Sequence, residues 1–204
     1  MCAAFLALTF GAEVARGAGG REQLGMVALW SFDASTVKGG AVAAAFGEND
    51  GTVIGKPASV AGFRGEALSF DGLADYVKMT DDIFFPSVSM EAIIRPTLGT
   101  RNPIYDKYNY GIQLNESNHV GIWIRDDAEQ WPQTYTPWPT DGAWHHVVGV
   151  AEDGVEVRIY LDGKLAGSAA APDSIDIAYG AGQKPTVAYT QHLGGIWYEG
   201  DVDE

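Results

Sequence analysis

The stretch DGAWHHVVGVAEDGVEVRIYLDGKLAGS, residues 141–168, decides the fold class. Apolar and polar residues alternate through 155–161, and a period of two is typical of a strand with one buried face. The apolar residues that share that face are Val155, Val157, Ile159 and Leu161. Asp162 and Gly163 follow, and an Asp-Gly pair between two such runs predicts a type I′ hairpin turn.

The same pattern recurs along the chain. Residues 87–95 alternate, and their apolar positions are Val88, Met90, Ala92 and Ile94. Further strands are predicted at 26–32, 52–54, 67–70, 76–79, 104–108, 110–114, 119–125, 144–151, 164–168, 185–189 and from Tyr198 onward. Residues 34–50 are predicted to be a connection. No stretch keeps a 3.6-residue apolar period, so the sequence predicts an all-β, two-sheet antiparallel sandwich.

Charge and cysteine content restrict the classes of partner. The formal net charge is −14, which opposes binding to nucleic acid and to anionic membranes. It is compatible with neutral glycans, cationic partners or a divalent metal. Cys2 is the single cysteine, so neither an intramolecular disulfide nor a cysteine-based zinc site can form.

The N-terminus is predicted to be a leader. Residues 2–12 form an apolar run that is too short to span a bilayer. The run resembles the apolar region of a secretory signal, and small residues follow it at 15–18, although no basic residues precede it. We therefore predict a signal remnant and disordered lead over 1–25, a sandwich domain over 26–204, and a secreted or cell-surface location without a membrane span.

Several motifs in order resemble the laminin-G-like jelly-roll domains of the concanavalin A-like superfamily. They are ALWSFD at 28–33, GFRGEALSFDGLADYVKM at 62–79, SVSMEAIIRP at 87–96, the stretch 141–168 and GDVDE at 200–204. The resemblance implies a jelly-roll sandwich that recognises an extracellular ligand. In that family the closing strand continues past its acidic pair, whereas this chain ends at Glu204. We therefore expect a truncated last strand and a partly unpaired sheet edge.

Aromatic residues supply the best signal for ligand binding. Residues 131–138, WPQTYTPW, combine three aromatic rings with prolines, and two more follow the Gly194–Gly195 turn. The five candidate ligand-binding residues are Trp131, Tyr135, Trp138, Trp197 and Tyr198. Sugar rings can stack on such planes, while the alternative is that these rings pack under loops. The tryptophans predicted within strands, and therefore in the core, are Trp30, Trp123 and Trp144.

The C-terminal carboxylates allow an enzyme alternative. Glu199, Asp201 and Glu204 match the E-x-D-x-x-E spacing that glycoside hydrolases of this fold use. A regular strand would, however, point Glu204 away from the other two. We therefore assign no catalytic residue.

A calcium site is implied by the resemblance, because concanavalin A-like domains often hold a structural Ca²⁺ between their first and last strands. Asp33 and Asp203 are the candidate ligands, with backbone oxygens near Gly72. The alternative is two solvated carboxylates. The adjacent His145 and His146 lie on opposite faces of a strand, so they cannot chelate one metal.

Three functions remain open after these observations. The leading one is a non-catalytic recognition module of a larger secreted protein, which binds a glycan or an extracellular protein. The second is a glycoside hydrolase or polysaccharide lyase on the same scaffold. The third is a structural adhesion or spacer domain.

Overall fold

The computed structural model describes residues 7–9, 26–83, 85–191 and 194–204, with the backbone alone for residues 7–9. These residues form twenty short strands. The first ten are β1 Ala7–Thr9, β2 Met26–Leu29, β3 Val37–Lys38, β4 Ala41–Val42, β5 Gly51–Ile54, β6 Ala58–Ala61, β7 Glu66–Asp71, β8 Tyr76–Met79, β9 Val88–Pro96 and β10 Asn102–Asp106. The other ten are β11 Tyr110–Leu114, β12 His119–Ile124, β13 Gln133–Pro137, β14 His145–Glu152, β15 Glu156–Leu161, β16 Lys164–Ala170, β17 Thr186–Val187, β18 Tyr189–Thr190, β19 Ile196–Trp197 and β20 Glu199–Asp203.

Two large antiparallel sheets form the sandwich. Sheet 1 has the order β16-β15-β14-β9-β20-β7-β6, with β1 beside β9 and β2 beside β1. Sheet 2 has the order β13-β12-β11-β10-β17-β8-β5-β4-β3, and β18 pairs with β19 separately. The predicted all-β, two-sheet antiparallel sandwich is confirmed.

The core lies between the sheets, where the alternating residues meet. Val88, Met90, Ala92 and Ile94 of β9 all lie in it, as do Val157 and Ile159 of β15. Gly149 of β14 brings sheet 1 close to sheet 2, because a Cβ there would lie 3.1 Å from Ile112 and from Ile122. The every-other-residue pattern therefore identified the buried faces, except at the ends of 155–161, where Val155 precedes β15 and is half exposed and Leu161 is partly buried.

The hairpin between β15 and β16 has the predicted turn. Asp162 has φ 50° and Gly163 has φ 76°, so both residues adopt the left-handed conformation that a type I′ turn requires. The turn sets the register in which Leu161 pairs with Lys164.

The edge of β9 differs from expectation. β20 pairs with β9 over Ile93–Pro96, and β1 pairs with the same strand further along, with Thr9 opposite Ser89. β1 also pairs with β2, so it lies between β9 and β2. The part of β9 that lies beyond the end of β20 was expected to be unpaired, but it pairs with β1 at Ser89. Most of the predicted leader lies outside the described residues, and that assignment stays a prediction.

One segment predicted to be a connection, and another to which no strand was assigned, contain strands. Residues 34–50 include the short hairpin of β3 and β4, and residues 131–138 include β13. β13 is the outermost strand of sheet 2. Proline lacks the N–H that a hydrogen bond between strands needs, and an edge strand tolerates this because one of its sides has no neighbouring strand. This strand connects directly to the exposed aromatic residues described next.

Candidate functional site

Two glycines let aromatic rings lie across the outer face of sheet 2. Ile122 of β12 points into the core, so Gly121 and Trp123 face outward. A Cβ at Gly121 would lie 2.3 Å from Cδ1 of Tyr135, and one at Gly111 would lie 3.0 Å from Cζ2 of Trp123. Glycine therefore gives each ring room to rest directly on the neighbouring strand.

An exposed group of rings extends from this face at the end of β12. The side chain of Trp131 is 41% exposed, and its ring centroid lies 5.6 Å from Trp123 and 5.8 Å from Tyr179. Tyr179 lies 5.6 Å from Tyr108. We call Tyr108, Trp131 and Tyr179 the aromatic platform, with Trp123 buried beneath it.

Arg125 is held within the platform. Its guanidinium carbon lies 4.0 Å from the ring centroid of Tyr179 and 6.0 Å from that of Trp131, which are cation–π distances. The guanidinium also forms a salt bridge with Asp176, and a longer contact of 3.8 Å joins it to Glu129. Arg125 therefore stiffens the platform, and its charge is already matched by carboxylates.

Loop hydrogen bonds fix the orientation of the rings. Asp176 Oδ1 accepts the backbone N–H of Ala178 at 3.1 Å, which forms an Asx turn, and also that of Tyr179 at 2.9 Å. On the other side, the buried Lys107 lies 2.7 Å from Asp82 and donates to the carbonyl oxygen of Gly180 at 3.2 Å. These bonds hold three loops together, so the platform is preorganised.

Of the five predicted ligand-binding residues, Trp131 is the one that belongs to the platform. Tyr135 is half-buried over Gly121 and accepts a hydrogen bond from Gln113 Nε2 at 2.6 Å. The buried state raises the pKa of the Tyr135 phenol, so this group stays neutral at physiological pH.

The other three predicted residues are placed differently. Trp138 is buried against His145, and Tyr198 is fully buried with its hydroxyl donating to the carbonyl oxygen of Asp201. Neither ring has a face open to a ligand, because each completes the core instead. Trp197 is half-buried in another cluster, with its ring 5.2 Å from Tyr189.

The three tryptophans that were predicted to lie in strands and in the core occupy three different environments. Trp30 is fully buried in the core, where its Nε1 donates to the carbonyl oxygen of Asn49 at 2.7 Å. Trp123 is buried on the outer face of sheet 2 rather than between the sheets. Trp144 is half-buried, and the guanidinium carbon of Arg95 lies 4.9 Å from its ring centroid.

Sequence reasoning missed three members of the site, Tyr108, Arg125 and Tyr179. They come from separate loops, and loops carry no periodicity that would reveal which residues meet. The aspartate at 176 is the single local signal, since aspartate favours an Asx turn with the residue two positions on, Ala178, and the same oxygen then reaches the N–H of Tyr179.

The C-terminal carboxylates do not form the arrangement that the spacing suggests. Glu199 and Asp201 line a surface cleft of about 350 Å³ on sheet 1, and Glu204 is not part of its lining. Asp201 accepts hydrogen bonds from Arg95 at 2.9 and 2.7 Å. The structure therefore places Glu199 and Asp201 in one cleft without Glu204, and Asp201 forms a salt bridge with Arg95.

Asp33 and Asp203 converge at the other end of β20. Asp203 is fully buried beneath the loop 62–65, where Oδ2 accepts the backbone N–H of Arg64 at 2.8 Å. Asp33 Oδ1 accepts the backbone N–H of Glu66 at 2.9 Å. Gly72, which was expected to contribute backbone oxygens, instead lies beside Glu199.

Two oxygens at this place have no donor among the described residues. They are Oδ1 of Asp203 and Oε2 of Glu204, and both are buried. Burial raises the pKa of the Asp203 carboxyl, the Arg64 N–H partly opposes this rise, and the Asp33 carboxylate adds to it. Burial and Asp203 likewise raise the pKa of Glu204. Converging carboxylates with unpaired buried oxygens are chemically suited to a hard cation.

The side chains alone do not complete a metal site. Across residues 26–83, 85–191 and 194–204, no group of three or more His, Cys, Asp or Glu side chains is arranged to hold a metal ion. A cation at Asp203 would therefore also need backbone carbonyl oxygens and water.

His145 is held between two carboxylates, as a structural histidine would be. Its Nδ1 lies 2.7 Å from Asp162 and its Nε2 lies 3.0 Å from Asp141. Burial lowers the pKa of His145, but the two hydrogen bonds outweigh this effect and raise the pKa above its ordinary value. His146 faces the other way and contacts Glu91 at 3.1 Å.

This contact predicts a pH-dependent stability. Because the pKa of His145 is higher in the folded state, its contribution is complete below about pH 6.5 and is lost as the pH rises through the folded-state pKa. The loss should be under about 1 kcal/mol, since Asp141 and Asp162 are exposed. Urea unfolding between pH 5.5 and 8.5 should show this decline in wild type and in His146→Gln, but a smaller one in His145→Gln. Equal slopes in all three proteins would contradict the prediction.

Comparison with known proteins gives a family and a set of folds. The family model described as the concanavalin A-like lectin/glucanases superfamily matches residues 70–204. No curated protein sequence matches the chain significantly. No described helix is long and apolar enough to cross a membrane.

Several solved structures share the architecture. They include the binding domain of botulinum neurotoxin DC in complex with SialylT (TM-score 0.61, 15% identity, 85% of this chain and 46% of that chain). The binding domain of Paraclostridial Mosquitocidal Protein 1 is also similar (TM-score 0.56, 10% identity, 85% and 48%). A third is the neurotoxin DC binding domain in complex with rat synaptotagmin II (TM-score 0.57, 14% identity, 85% and 46%). The chain spans about half the length of these solved chains, and at such identities the likeness establishes the fold.

Proposed function

Because this chain belongs to the concanavalin A-like lectin/glucanases superfamily, we propose that it is a non-catalytic module that binds glycan through the aromatic platform. The observation that carries the proposal is the exposed ring of Trp131 among Tyr179, Tyr108 and Arg125. Aromatic planes with nearby polar groups match the two surfaces of a sugar, which are its C–H face and its hydroxyl rim.

Rigidity favours binding at this place over simple surface packing. Asp176 and Lys107 fix the backbone of the loop that carries Tyr179, and the rings pack against one another, so little side-chain entropy is lost when a ligand arrives. The solved binding domains of similar fold are named for complexes with a sialylated glycan and with a protein. Both classes of partner are therefore considered, and the open aromatic face favours a glycan.

Replacing Trp131 with Ala should weaken glycan binding at least about fivefold, because truncating a tryptophan hot spot costs more than about 1 kcal/mol. The measurement is a glycan array followed by titration calorimetry on the best ligand. Leu73→Ala is the matched control, since Leu73 is 73% exposed and lies outside the platform. Unchanged affinity in Trp131→Ala would remove the platform from the proposal.

The enzyme alternative rests on the cleft that contains Glu199 and Asp201. A polysaccharide-cleavage screen separates it from the binding module. Turnover that is abolished by Glu199→Ala or Asp201→Ala would replace our proposal. A well-folded protein without array hits or turnover would instead favour a structural adhesion or spacer domain.

We further propose that the module acts outside the cell, as one part of a larger secreted protein, and that it binds calcium at Asp203. The apolar run at 2–12 supports secretion, and removal of this run as a signal would also remove β1 from the edge of β9. The unpaired buried oxygens of Asp203 and Glu204 support the cation. Secreted domains meet calcium at concentrations that suit weak extracellular sites.

A further inference from the structure

We infer that the aromatic platform selects neutral glycans, with Glu129 as the residue that excludes anionic ones; this inference rests on the proposed function. The platform lies between the loops 125–131 and 173–184, which carry five carboxylates and two cations. The chain as a whole has a formal net charge of −14. An anionic sugar would therefore approach a surface of its own sign.

Arg125, the cation that contacts the platform, stabilises the loops and is not available to bind an anionic ligand. The Arg125 side chain is 13% exposed and is bound by Asp176. Its flat guanidinium face lies against the ring of Tyr179 at 4.0 Å. Asp176 binds Nη1 and Glu129 lies 3.8 Å from Nη2, so a sialic acid carboxylate would have to compete with two carboxylates for this group.

Glu129 is the carboxylate best placed to act on a ligand. Its side chain is 80% exposed, and its Oε1 lies 3.8 Å from Arg125 Nη2, so it is at the rim of the platform. The residue has φ 59°, and its N–H donates to the carbonyl oxygen of Asp126 at 2.9 Å. The contact with Arg125, whose guanidinium lies over Tyr179, therefore places the Glu129 carboxylate near the platform.

Neutral ligands fit the same surface without conflict. Their C–H faces can stack on Trp131, and their hydroxyls can donate to Glu129 and to Asp127, which is also exposed. Carboxylates are acceptors only, so they favour a ligand rich in donors. A sialic acid brings a further acceptor and a negative charge to the same rim.

The test is an array of matched oligosaccharide pairs, in which each neutral core is printed with and without a terminal sialic acid. At low salt the sialylated member should bind at least about fivefold more weakly, and the difference should shrink toward equality near 1 M salt, where the Debye length is about 3 Å. Trp131→Ala should weaken binding of the neutral member, which assigns the signal to the platform.

Charge reversal at Glu129 identifies the residue responsible. Glu129→Lys should lower the neutral-to-sialylated affinity ratio at least about threefold at low salt. Glu116→Lys is the matched control, because Glu116 is exposed and precedes β12, whereas Glu129 follows it. The control should leave the ratio unchanged.

The outcomes separate the two proposals. Equal binding of both members of every pair, or tighter binding of the sialylated one, would overturn the selectivity and leave glycan binding intact. An unchanged ratio in Glu129→Lys would overturn the role of that residue. Absence of binding to any glycan would instead reject the proposed function itself.

Discussion

Replacing Asp82 with Asn is expected to lower the free energy of unfolding by about 3 kcal/mol, because it removes the anion beside a fully buried ammonium group. Lys107 Nζ lies 2.7 Å from Asp82 Oδ1, and the Lys107 side chain is 0% exposed. Asparagine keeps the size of the side chain, and its single amide oxygen can still accept the Gly182 N–H that Asp82 Oδ2 accepts at 2.7 Å. Its NH₂ group then faces Lys107, so the change removes both the negative charge and the acceptor of the ammonium group while keeping the shape of the site.

A double-mutant cycle gives this prediction its control. Lys107→Met alone should also destabilise the protein, whereas Asp82→Asn with Lys107→Met should lose less than the two single changes together. Chemical denaturation at neutral pH measures each step. Glu152→Gln breaks the exposed pair with Arg158 and should change stability by less than about 0.5 kcal/mol. A loss below about 1 kcal/mol in Asp82→Asn would contradict the assigned role.

The same pair is expected to affect binding. Lys107 directly precedes Tyr108, and its acceptor Gly180 directly follows Tyr179. Loss of the pair should therefore loosen two rings of the platform while leaving Trp131 in place. Stability and affinity should fall together in Asp82→Asn, whereas Trp131→Ala should mainly lower affinity.

Most of the strands could be predicted because each one has to bury a single face. β8 was predicted residue for residue, and β9 and β15 within one residue at each end. β13 was missed because no strand was assigned to 131–138, where Pro132 and Pro137 argue against one. Prolines are tolerated there since β13 is an edge strand.

The site was less accessible to sequence reasoning than the fold. Tyr198 could have been assigned to the core, because it alternates with Val202 along the closing strand and both are buried. Trp131 was identified because prolines and aromatic residues cluster around it. Its partners Arg125 and Tyr179 are 54 residues apart in the chain. Only the pairing of loops in three dimensions brings them together.

Calcium is expected to raise the thermal midpoint of unfolding by about 5 to 10 °C when present at 100 times its dissociation constant. Ligand bound to the folded state at that ratio contributes about 2.7 kcal/mol, and a domain of this size shifts by about 2 to 4 °C per kcal/mol. The physical source is the repulsion of the Asp203 carboxylate by its neighbours Asp33 and Glu204, which a divalent cation at Asp203, completed by backbone carbonyl oxygens and water, would offset.

Asp203→Asn tests this expectation because it should affect stability without calcium and stabilisation by calcium in opposite directions. Asparagine can still accept the Arg64 N–H but carries no buried charge, so in EGTA the variant should be at least as stable as wild type. In calcium the variant should lose most of the stabilisation. Asp201→Asn is the control from the same strand, and it should keep the calcium increment because Asp201 pairs with Arg95 instead.

The pH dependence supplies an independent measurement of the same carboxylates. In EGTA the raised pKa values of Asp203 and Glu204 mean that the folded state binds protons more tightly than the unfolded chain. Stability should therefore decline as the pH rises from about 4 through the folded-state values, and calcium should reduce that decline. Identical melting curves in calcium and EGTA at neutral pH would remove the metal, because a cation that binds the folded state must stabilise it.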